Sequence, residues 1–193
     1  RIVMADRDWP AYAWSFPIGD GRRNVGYGEL LRSGPINRTH LLDRLAMLLP
    51  DTDRGTITDL KAHHLPLSSH RPIAGRGRLL LAGDALSLIN PFTGEGIFYA
   101  VVSGALAGRA AATGAANAGE RYARVLRARL GRHFRHTTAL RRLATKPWIV
   151  DAGVRAANHR QATFDALVEL GLGDGLISPR LIGSLISSGW ASR

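Results

Sequence analysis

The sequence predicts an α/β protein, of the α+β type over this stretch, on three observations. Residues 2–31 alternate large and small side chains around a glycine-rich turn, which is typical of an antiparallel hairpin. A short apolar run bounded by glycines, Leu79 to Ala82, indicates a strand that is buried on both faces, as in a parallel sheet. The residues after Gly96 follow helical spacing. The predicted order is therefore antiparallel strands, one further strand with its helix, and a helical C-terminal region.

The first predicted element is a hairpin that turns at Gly19-Asp20-Gly21. Tyr12, Trp14 and Phe16 lie two residues apart along its first strand, so the three aromatic side chains share one face. On the residues alone, this face is either the core of a sheet or the wall of an apolar binding site.

The middle of the chain predicts a helix and a second strand. Thr39 is a plausible N-cap for a helix that ends at Leu49, just before Pro50. Lys61–Leu67 is predicted to be a strand, which a glycine turn connects to the run at Leu79.

The sequence from Gly96 onward predicts helices separated by short breaks. The small residues of 96–112 predict a helix that packs closely against a sheet, and Ala110–Gly119 reads as a linker. Arg121–Lys146 carries nine basic residues and no acidic one over an apolar stripe, which predicts an amphipathic helix with a basic face. Two more helices are predicted, one over 150–170 and one starting at Ser178-Pro179.

Composition excludes several classes of protein and of site. The 193 residues are 45% hydrophobic, enough for a core, and contain no cysteine, so disulfides and thiolate metal sites are excluded. The seven histidines show no metal-binding spacing. No apolar stretch approaches the roughly 18 residues of a spanning helix. The net charge of +11 is compatible with nucleic-acid binding, but the sequence contains no recognisable nucleic-acid-binding module. Nucleic acid is therefore not an expected partner.

The segment from Arg78 to Gly96, RLLLAGDALSLINPFTGEG, is the strongest candidate for a binding site. Asp84 follows the predicted strand, at the end where open α/β sheets bind ligands, and its carboxylate would accept hydrogen bonds from hydroxyl groups. Gly94-Glu95-Gly96 then offers backbone N–H groups at a helix start, which attracts anions. This combination suits a flavin.

The same segment resembles the second FAD-binding motif of flavoproteins related to para-hydroxybenzoate hydroxylase, in which GD is followed by NPxxGEG. Within that group the chain is most similar to the geranylgeranyl reductase family. Pro10, Tyr12, Trp14, Phe16 and Pro17 spell PxYxWxFP, which resembles the aromatic motif of that family, and a GxG follows at Gly26 and Gly28. One departure is that Leu86 and Ser87 stand where relatives carry two small residues.

The resemblance implies FAD as the cofactor and an isoprenoid lipid as the substrate. It implies that Asp84 binds the ribityl chain and that the amides of 94–96 face the pyrimidine edge of the flavin. The aromatic face would contact substrate without supplying an acid or a base. The implied cofactor residues are Gly83, Asp84, Pro91, Gly94, Glu95 and Gly96, and the implied substrate residues are Tyr12, Trp14, Phe16, Pro17, Gly26 and Gly28. Catalytic residues are unknown, and no metal is implied.

A G-x-G-x-x-G dinucleotide motif is absent from the sequence. We therefore expect the chain to be the C-terminal half of a longer flavoprotein, and expect the chain alone to bind FAD weakly or not at all. The expected division is a portion of the substrate domain at 1–74, the end of the FAD domain at 75–115 and a helical region at 116–193.

The expected activity is reduction of C=C bonds in a geranylgeranyl or polyprenyl lipid by an FAD-dependent oxidoreductase, with the electron donor unknown. Two alternatives stay open: an FAD-dependent monooxygenase that hydroxylates an apolar or aromatic substrate, and a non-enzymatic basic fragment associated with membranes. The basic helix Arg121–Lys146 is either a solvated face or a peripheral contact with an anionic membrane. The expected location is the cytoplasm, including the cytoplasmic face of its membrane.

Overall fold

The computed structural model describes residues 1–4, 11–31, 36–68 and 72–190. The chain divides into two compact units, Arg1–His63 and His64–Arg193. The described residues form small antiparallel sheets and six α-helices, so the predicted mixed α/β class is confirmed. The expected three-part division into domains stays a prediction.

The first unit is a three-stranded antiparallel sheet covered by a helix. Its strands are β1 (Ile2–Met4), β2 (Ala11–Gly19) and β3 (Arg22–Glu29), in the order β1-β2-β3, and its helix is α1 (Arg38–Leu48). The small residue Ala13 packs with Leu45 and Leu49 in the core of this unit. Small side chains on one face of β2 thus let the helix approach the sheet closely.

The predicted hairpin is confirmed, and its turn has a clear physical cause. Asp20 and Gly21 both have positive φ, 51° and 70°, and they connect Gly19 to its cross-strand partner Arg22. A two-residue turn of this hand matches the twist of the strands it joins, and Asp-Gly is among its favoured sequences.

The second unit consists of a two-stranded hairpin and five helices. The hairpin pairs β4 (Gly75–Arg76) with β5 (Leu79–Leu80) in antiparallel fashion. A short 3₁₀ turn at Gly83–Leu86 follows. The helices are α2 (Ile97–Ala112), α3 (Ala118–Leu143), α4 (Pro147–His159), α5 (Gln161–Leu172) and α6 (Pro179–Trp190).

The core of this unit lies between α2, α3 and the segment just before them. Tyr99 of α2 packs with residues of α3 at the apolar positions that the sequence pattern marked; the α3 members are Tyr122, Leu126, Leu130 and Phe134. Leu86 belongs to the same buried cluster. The departure from the family pattern at this position is therefore accommodated by packing of the larger side chain into the core.

The strand predicted at Leu79–Ala82 is only partly correct. β5 covers two residues, is antiparallel, and leaves Leu79 67% exposed, while Leu80 and Leu81 pack against the core. A strand is buried on both faces only when a layer covers each face. Among the described residues, helices cover one side of this segment.

Four further predictions from the sequence are corrected by the structure. Asn37, and not Thr39, caps α1: its side chain accepts a hydrogen bond from the N–H of His40 at 2.8 Å. Lys61–Leu67 is not a strand and makes a single parallel bridge, between Leu67 and Ile89. The predicted linker is shorter, because α2 continues to Ala112. The helix predicted over 150–170 is two helices, separated at Arg160, whose φ of −143° is extended.

Candidate functional site

The GD pair of the Arg78–Gly96 segment stands at the edge of an open cleft of about 610 Å³. Gly83 has a φ of +55°, and a Cβ there would come within 3.2 Å of the Cβ of Ala100. Its N–H donates to the Oγ of Ser103 at 2.9 Å. Helix α2 therefore fixes the turn from behind, and the exposed Asp84 carboxylate lines the cleft.

The structure brings the two glycines of the GEG sequence to the same cleft as Asp84. A Cβ built on Gly96 would stand 3.3 Å from Cγ1 of Ile89 and 3.5 Å from Oδ1 of Asp84. The missing side chain thus keeps the space beside the carboxylate open. Gly94 has a φ of +79°, and its N–H donates to the carbonyl of Asn90 at 2.9 Å. That amide holds the turn together and is already engaged.

Glu95 and Pro91, unlike Gly94 and Gly96, are not among the residues that line the cleft. The Oε1 of Glu95 accepts hydrogen bonds from the N–H groups of Ile97 at 2.7 Å and Phe98 at 3.2 Å, so it caps α2. A carboxylate at this point offsets the positive end of the helix dipole that was expected to attract an anion. Pro91 is buried in the turn and is not among the residues that line the cleft.

Several residues of the site were not found from the sequence. The cleft walls include apolar side chains on both sides of the motif, namely Leu65, Ala82, Ile89, Ile97 and Ala100. Ser103 and Asn90 support the motif from inside. A signal existed for two of them: Ala100 and Ser103 recur at helical spacing after Gly96, on the face that α2 turns toward the motif.

The structure confirms that the three aromatic side chains of β2 share one face of the strand. Tyr12, Trp14 and Phe16 alternate with three buried small residues, Ala11, Ala13 and Ser15. The Tyr12 and Trp14 rings lie 5.8 Å apart, and Phe16 is 43% exposed. Across the sheet, Ile2 pairs with Trp14 and Met4 pairs with Tyr12, and both aliphatic side chains are exposed. Pro10 lies outside the described residues.

The GxG sequence lies directly across the sheet from the aromatic residues. Trp14 is paired with Gly26 and Tyr12 with Gly28. The indole N–H donates to Oδ1 of Asn24 at 2.8 Å, which fixes the ring over the neighbouring strand. Pro17 is paired with Arg23, just before the irregularity that ends at Gly19.

A polar cluster on β3 and α1 was not predicted. The hydroxyl of Tyr27 donates to Glu29, and Nε2 of His40 lies 2.9 Å from Oε1 of the same carboxylate. Burial and the hydrogen bond to Glu29 raise the pKa of Tyr27 to about 12. Burial alone would raise the pKa of Glu29, but the hydrogen bonds from Tyr27 and His40 outweigh it and lower that pKa. This cluster connects α1 to the sheet.

Comparison with known proteins finds several proteins named digeranylgeranylglycerophospholipid reductase or geranylgeranyl diphosphate reductase. A digeranylgeranylglycerophospholipid reductase of Methanocella arvoryzae is 31% identical over 155 residues, which are 77% of this chain and 38% of that protein. The protein of the same name from Thermoplasma volcanium is 38% identical over 96 residues, 48% of this chain and 24% of that protein. A chloroplastic geranylgeranyl diphosphate reductase of Oryza sativa subsp. japonica is 33% identical over 106 residues, 55% of this chain and 22% of that protein.

The chain belongs to the geranylgeranyl reductase family. The resemblance carried by the two sequence motifs is thereby confirmed. The chain spans between 22% and 38% of the length of these three relatives. No family model matches it, and no solved structure does.

Two further observations describe this member of the geranylgeranyl reductase family. Over the residues that the structure describes, no helix combines the length and apolar character needed to cross a membrane. Within the same residues, His, Asp and Glu side chains form no group of three or more that would hold a metal ion.

Proposed function

We propose that the complete protein containing this chain is an FAD-dependent reductase of C=C bonds in a geranylgeranyl or polyprenyl lipid. The observation that carries the proposal is the convergence of Asp84, Gly94 and Gly96 on one cleft in a chain of this family. The family relatives are named for reduction of such compounds. FAD would supply the hydride when bound.

The residues of the cleft fit the flavin part of FAD. The exposed Asp84 carboxylate is an acceptor suited to the hydroxyl groups of a ribityl chain. A Cβ at Gly96 would fill the space beside it, so glycine there permits close approach of a flat ring. Ile89 and Ala100 supply apolar walls that exclude water. Gly83, Pro91 and Glu95 would act indirectly, by shaping the turn and capping α2.

The aromatic face of β2 is the proposed contact for the lipid chain. Tyr12, Trp14 and Phe16, with the exposed aliphatic side chains of Ile2 and Met4, make a face suited to a hydrocarbon. These side chains bind and orient the lipid. Gly26 gives the Trp14 ring room, Gly28 lies across the sheet from Tyr12, and Pro17 lies near the end of β2. The proton donor and the electron donor are left open.

Expression of the complete open reading frame tests the proposal. We expect a yellow protein that binds FAD, and an Asp84→Ala variant that binds FAD about tenfold more weakly or worse, because a hydrogen-bond acceptor to the cofactor is lost. The matched control is Asp165→Ala, since Asp165 is an exposed carboxylate on α5 outside the cleft. A colourless protein that does not take up FAD would remove the flavoenzyme proposal.

Product analysis separates the reductase from the monooxygenase alternative. Anaerobic incubation of dithionite-reduced protein with a geranylgeranyl lipid should give products heavier by two hydrogen atoms for each bond reduced. Products heavier by one oxygen atom, formed only in air, would favour the monooxygenase. Absence of both products from a protein that binds FAD would favour the non-enzymatic alternative.

Helix α3 is the proposed contact with the cytoplasmic face of an anionic membrane. Five of its exposed arginines recur at helical spacing along one side of the helix; they are Arg121, Arg124, Arg132, Arg135 and Arg142. Clustered arginines near an anionic surface contribute about 1 kcal/mol each. Binding to anionic vesicles that weakens with salt supports this contact, whereas equal binding to neutral vesicles, or none, contradicts it.

A further inference from the structure

Three polar side chains are fully buried behind the candidate flavin site. Asn90, Tyr99 and His133 are each 0% to 1% exposed, and we refer to them as the Asn90-Tyr99-His133 cluster. They come from three separate elements: the turn before α2, α2 itself and the middle of α3. Buried polar groups are costly unless their hydrogen bonds are satisfied, so their partners determine what they do.

Asn90 determines the shape of the turn that places Gly94 and Gly96 in the cleft. Its carbonyl accepts from Gly94 at 2.9 Å, and its N–H donates to the carbonyl of Glu95 at 2.7 Å. Its side-chain Oδ1 accepts from the N–H of Phe92 at 2.9 Å. The backbone and the side chain of this one residue therefore close the turn.

The remaining atoms of Asn90 connect the turn to the helical region. Its Nδ2 donates to the hydroxyl oxygen of Tyr99 at 3.0 Å and to the carbonyl of Leu170 at 3.0 Å. Thr93, in the same turn, donates to the carbonyl of Gly171 at 2.7 Å. The C-terminal end of α5 thus serves as a fixed set of acceptors for the turn.

His133 and the carbonyl of Gly173 are both acceptors for the single proton of Tyr99. The Tyr99 hydroxyl lies 2.7 Å from Nε2 of His133 and 2.8 Å from the carbonyl of Gly173. Nδ1 of His133 lies 2.7 Å from the carbonyl of Gly175, an acceptor only, so Nδ1 carries the ring proton. Burial lowers the pKa of His133 and keeps the ring neutral, which leaves Nε2 as an acceptor. The single proton of Tyr99 is therefore shared between the carbonyl of Gly173 and Nε2 of His133, and the Tyr99 oxygen accepts from Asn90.

We propose that His133 is a positioning residue for the cofactor turn 90–96, acting through Tyr99 and Asn90. The inference rests on the proposed function in so far as the turn binds a flavin. Its consequence is that α3 and the end of α5 take part in cofactor binding without contacting the cofactor.

Two substitutions of His133 separate its two hydrogen bonds. His133→Gln keeps an acceptor at the position of Nε2 and loses the donor to Gly175. His133→Asn keeps a donor at the position of Nδ1 and loses the acceptor for Tyr99. Tyr99→Phe removes the hydroxyl itself. The matched control is Thr137→Val, because Thr137 is buried one helical turn away and its hydroxyl donates only to carbonyls of its own helix.

The experiment uses the complete protein. Two quantities are measured, both at a temperature below the unfolding temperature of each variant. The first is amide hydrogen exchange over residues 90–96 without flavin. The second is the dissociation constant of FAD with the circular dichroism of the bound flavin. We expect His133→Asn and Tyr99→Phe to exchange about tenfold faster over this turn and to bind FAD about tenfold more weakly, with an altered flavin signal. His133→Gln should stay close to the wild-type protein, and Thr137→Val should change neither measurement.

Either measurement is able to overturn the inference. Wild-type exchange over 90–96 in His133→Asn, or equal effects of the Gln and Asn variants, would show that the contact with Tyr99 does not position the turn. Faster exchange without any change in FAD affinity would confine the effect to local stability and remove the link to the cofactor. A wild-type protein that does not bind FAD contradicts the proposed function, whereas the exchange measurement still decides whether His133 holds the turn.

Discussion

The indole ring of Trp14 lies against the Cα of Gly26 on the neighbouring strand. A Cβ built on Gly26 would stand 2.1 Å from Cζ2 of the ring, a separation that real Cβ atoms do not show. The two residues are cross-strand partners, and the ring is held over the glycine by its hydrogen bond to Asn24. The aromatic motif and the GxG motif are thus two halves of one packing arrangement.

Gly26→Ala should displace the Trp14 ring and destabilise the protein by about 1–3 kcal/mol, because the added methyl group overlaps the indole. Gly28→Ala is the matched control, since its nearest ring atom is Cζ3 of Trp14 at 4.0 Å, an ordinary contact. Urea unfolding and tryptophan fluorescence of the complete protein measure the two effects. Equal stability of the two variants would show that the indole does not occupy this position.

Gly96→Ala should weaken FAD binding by about tenfold with little loss of stability, because the new Cβ enters the space between Ile89 and Asp84. Gly104→Ala, in the exposed part of α2, has no atom within 4 Å of the added Cβ. It should leave the affinity unchanged and stabilise α2 by about 0.5–1 kcal/mol. Flavin fluorescence titration and thermal unfolding report the two quantities. Unchanged affinity in Gly96→Ala would place the flavin elsewhere.

Ser103→Ala should lower the free energy of unfolding by about 1–3 kcal/mol, because the buried N–H of Gly83 loses its acceptor. Ser187→Ala provides the comparison, since that hydroxyl is exposed on α6 and donates to a carbonyl of the same helix. Its expected change lies within about 0.5 kcal/mol. A Ser103 variant as stable as the Ser187 variant would mean that Gly83 finds another acceptor.

His133 should make the protein less stable in mild acid. Burial lowers its pKa in the folded protein below the ordinary value of 6.5. As the pH falls below 6.5, the unfolded chain takes up a proton that the folded chain does not, so stability is lost toward the lowered pKa at up to about 1.4 kcal/mol per pH unit. His133→Gln lacks this titration, and its unfolding free energy should depend less on pH in this window. Parallel pH dependences for the two proteins would contradict the assignment.

Glu29 gives a second loss of stability in acid, which starts at a lower pH in the same series. Its pKa is lowered from 4.5, so the stability it contributes is present above 4.5 and is lost only as the pH falls through the lowered value. The acid loss caused by Glu29 therefore begins at a lower pH than the loss caused by His133.

Sequence patterns succeeded where a local rule decides the structure. Asp20-Gly21 sets the hairpin turn, the alternation along β2 separates Tyr12, Trp14 and Phe16 from the buried small residues, and Ser178-Pro179 begins the last helix. The apolar spacing of α3 likewise marks the residues that pack against α2. In each case the neighbours along the chain supply most of the determining contacts.

Predictions from local sequence patterns failed where contacts with residues distant along the chain determine the structure. The run at Leu79 reads as a strand buried on both faces, yet its exposure depends on which layers cover it. The single helix predicted over 150–170 is interrupted at Arg160, and the two helices on either side pack against each other.

By itself the sequence determined the family, through two motifs, and the residue types of the candidate flavin site. Only the tertiary structure decided how those residues are held. Asn90 and His133 are 43 positions apart, and the hydrogen bonds that connect them through Tyr99 exist only because α2 and α3 pack side by side. The pairing of Trp14 with Gly26 depends in the same way on strand register. Hydrogen bonds and close contacts of this kind act over a few ångströms in space, whatever the distance along the chain.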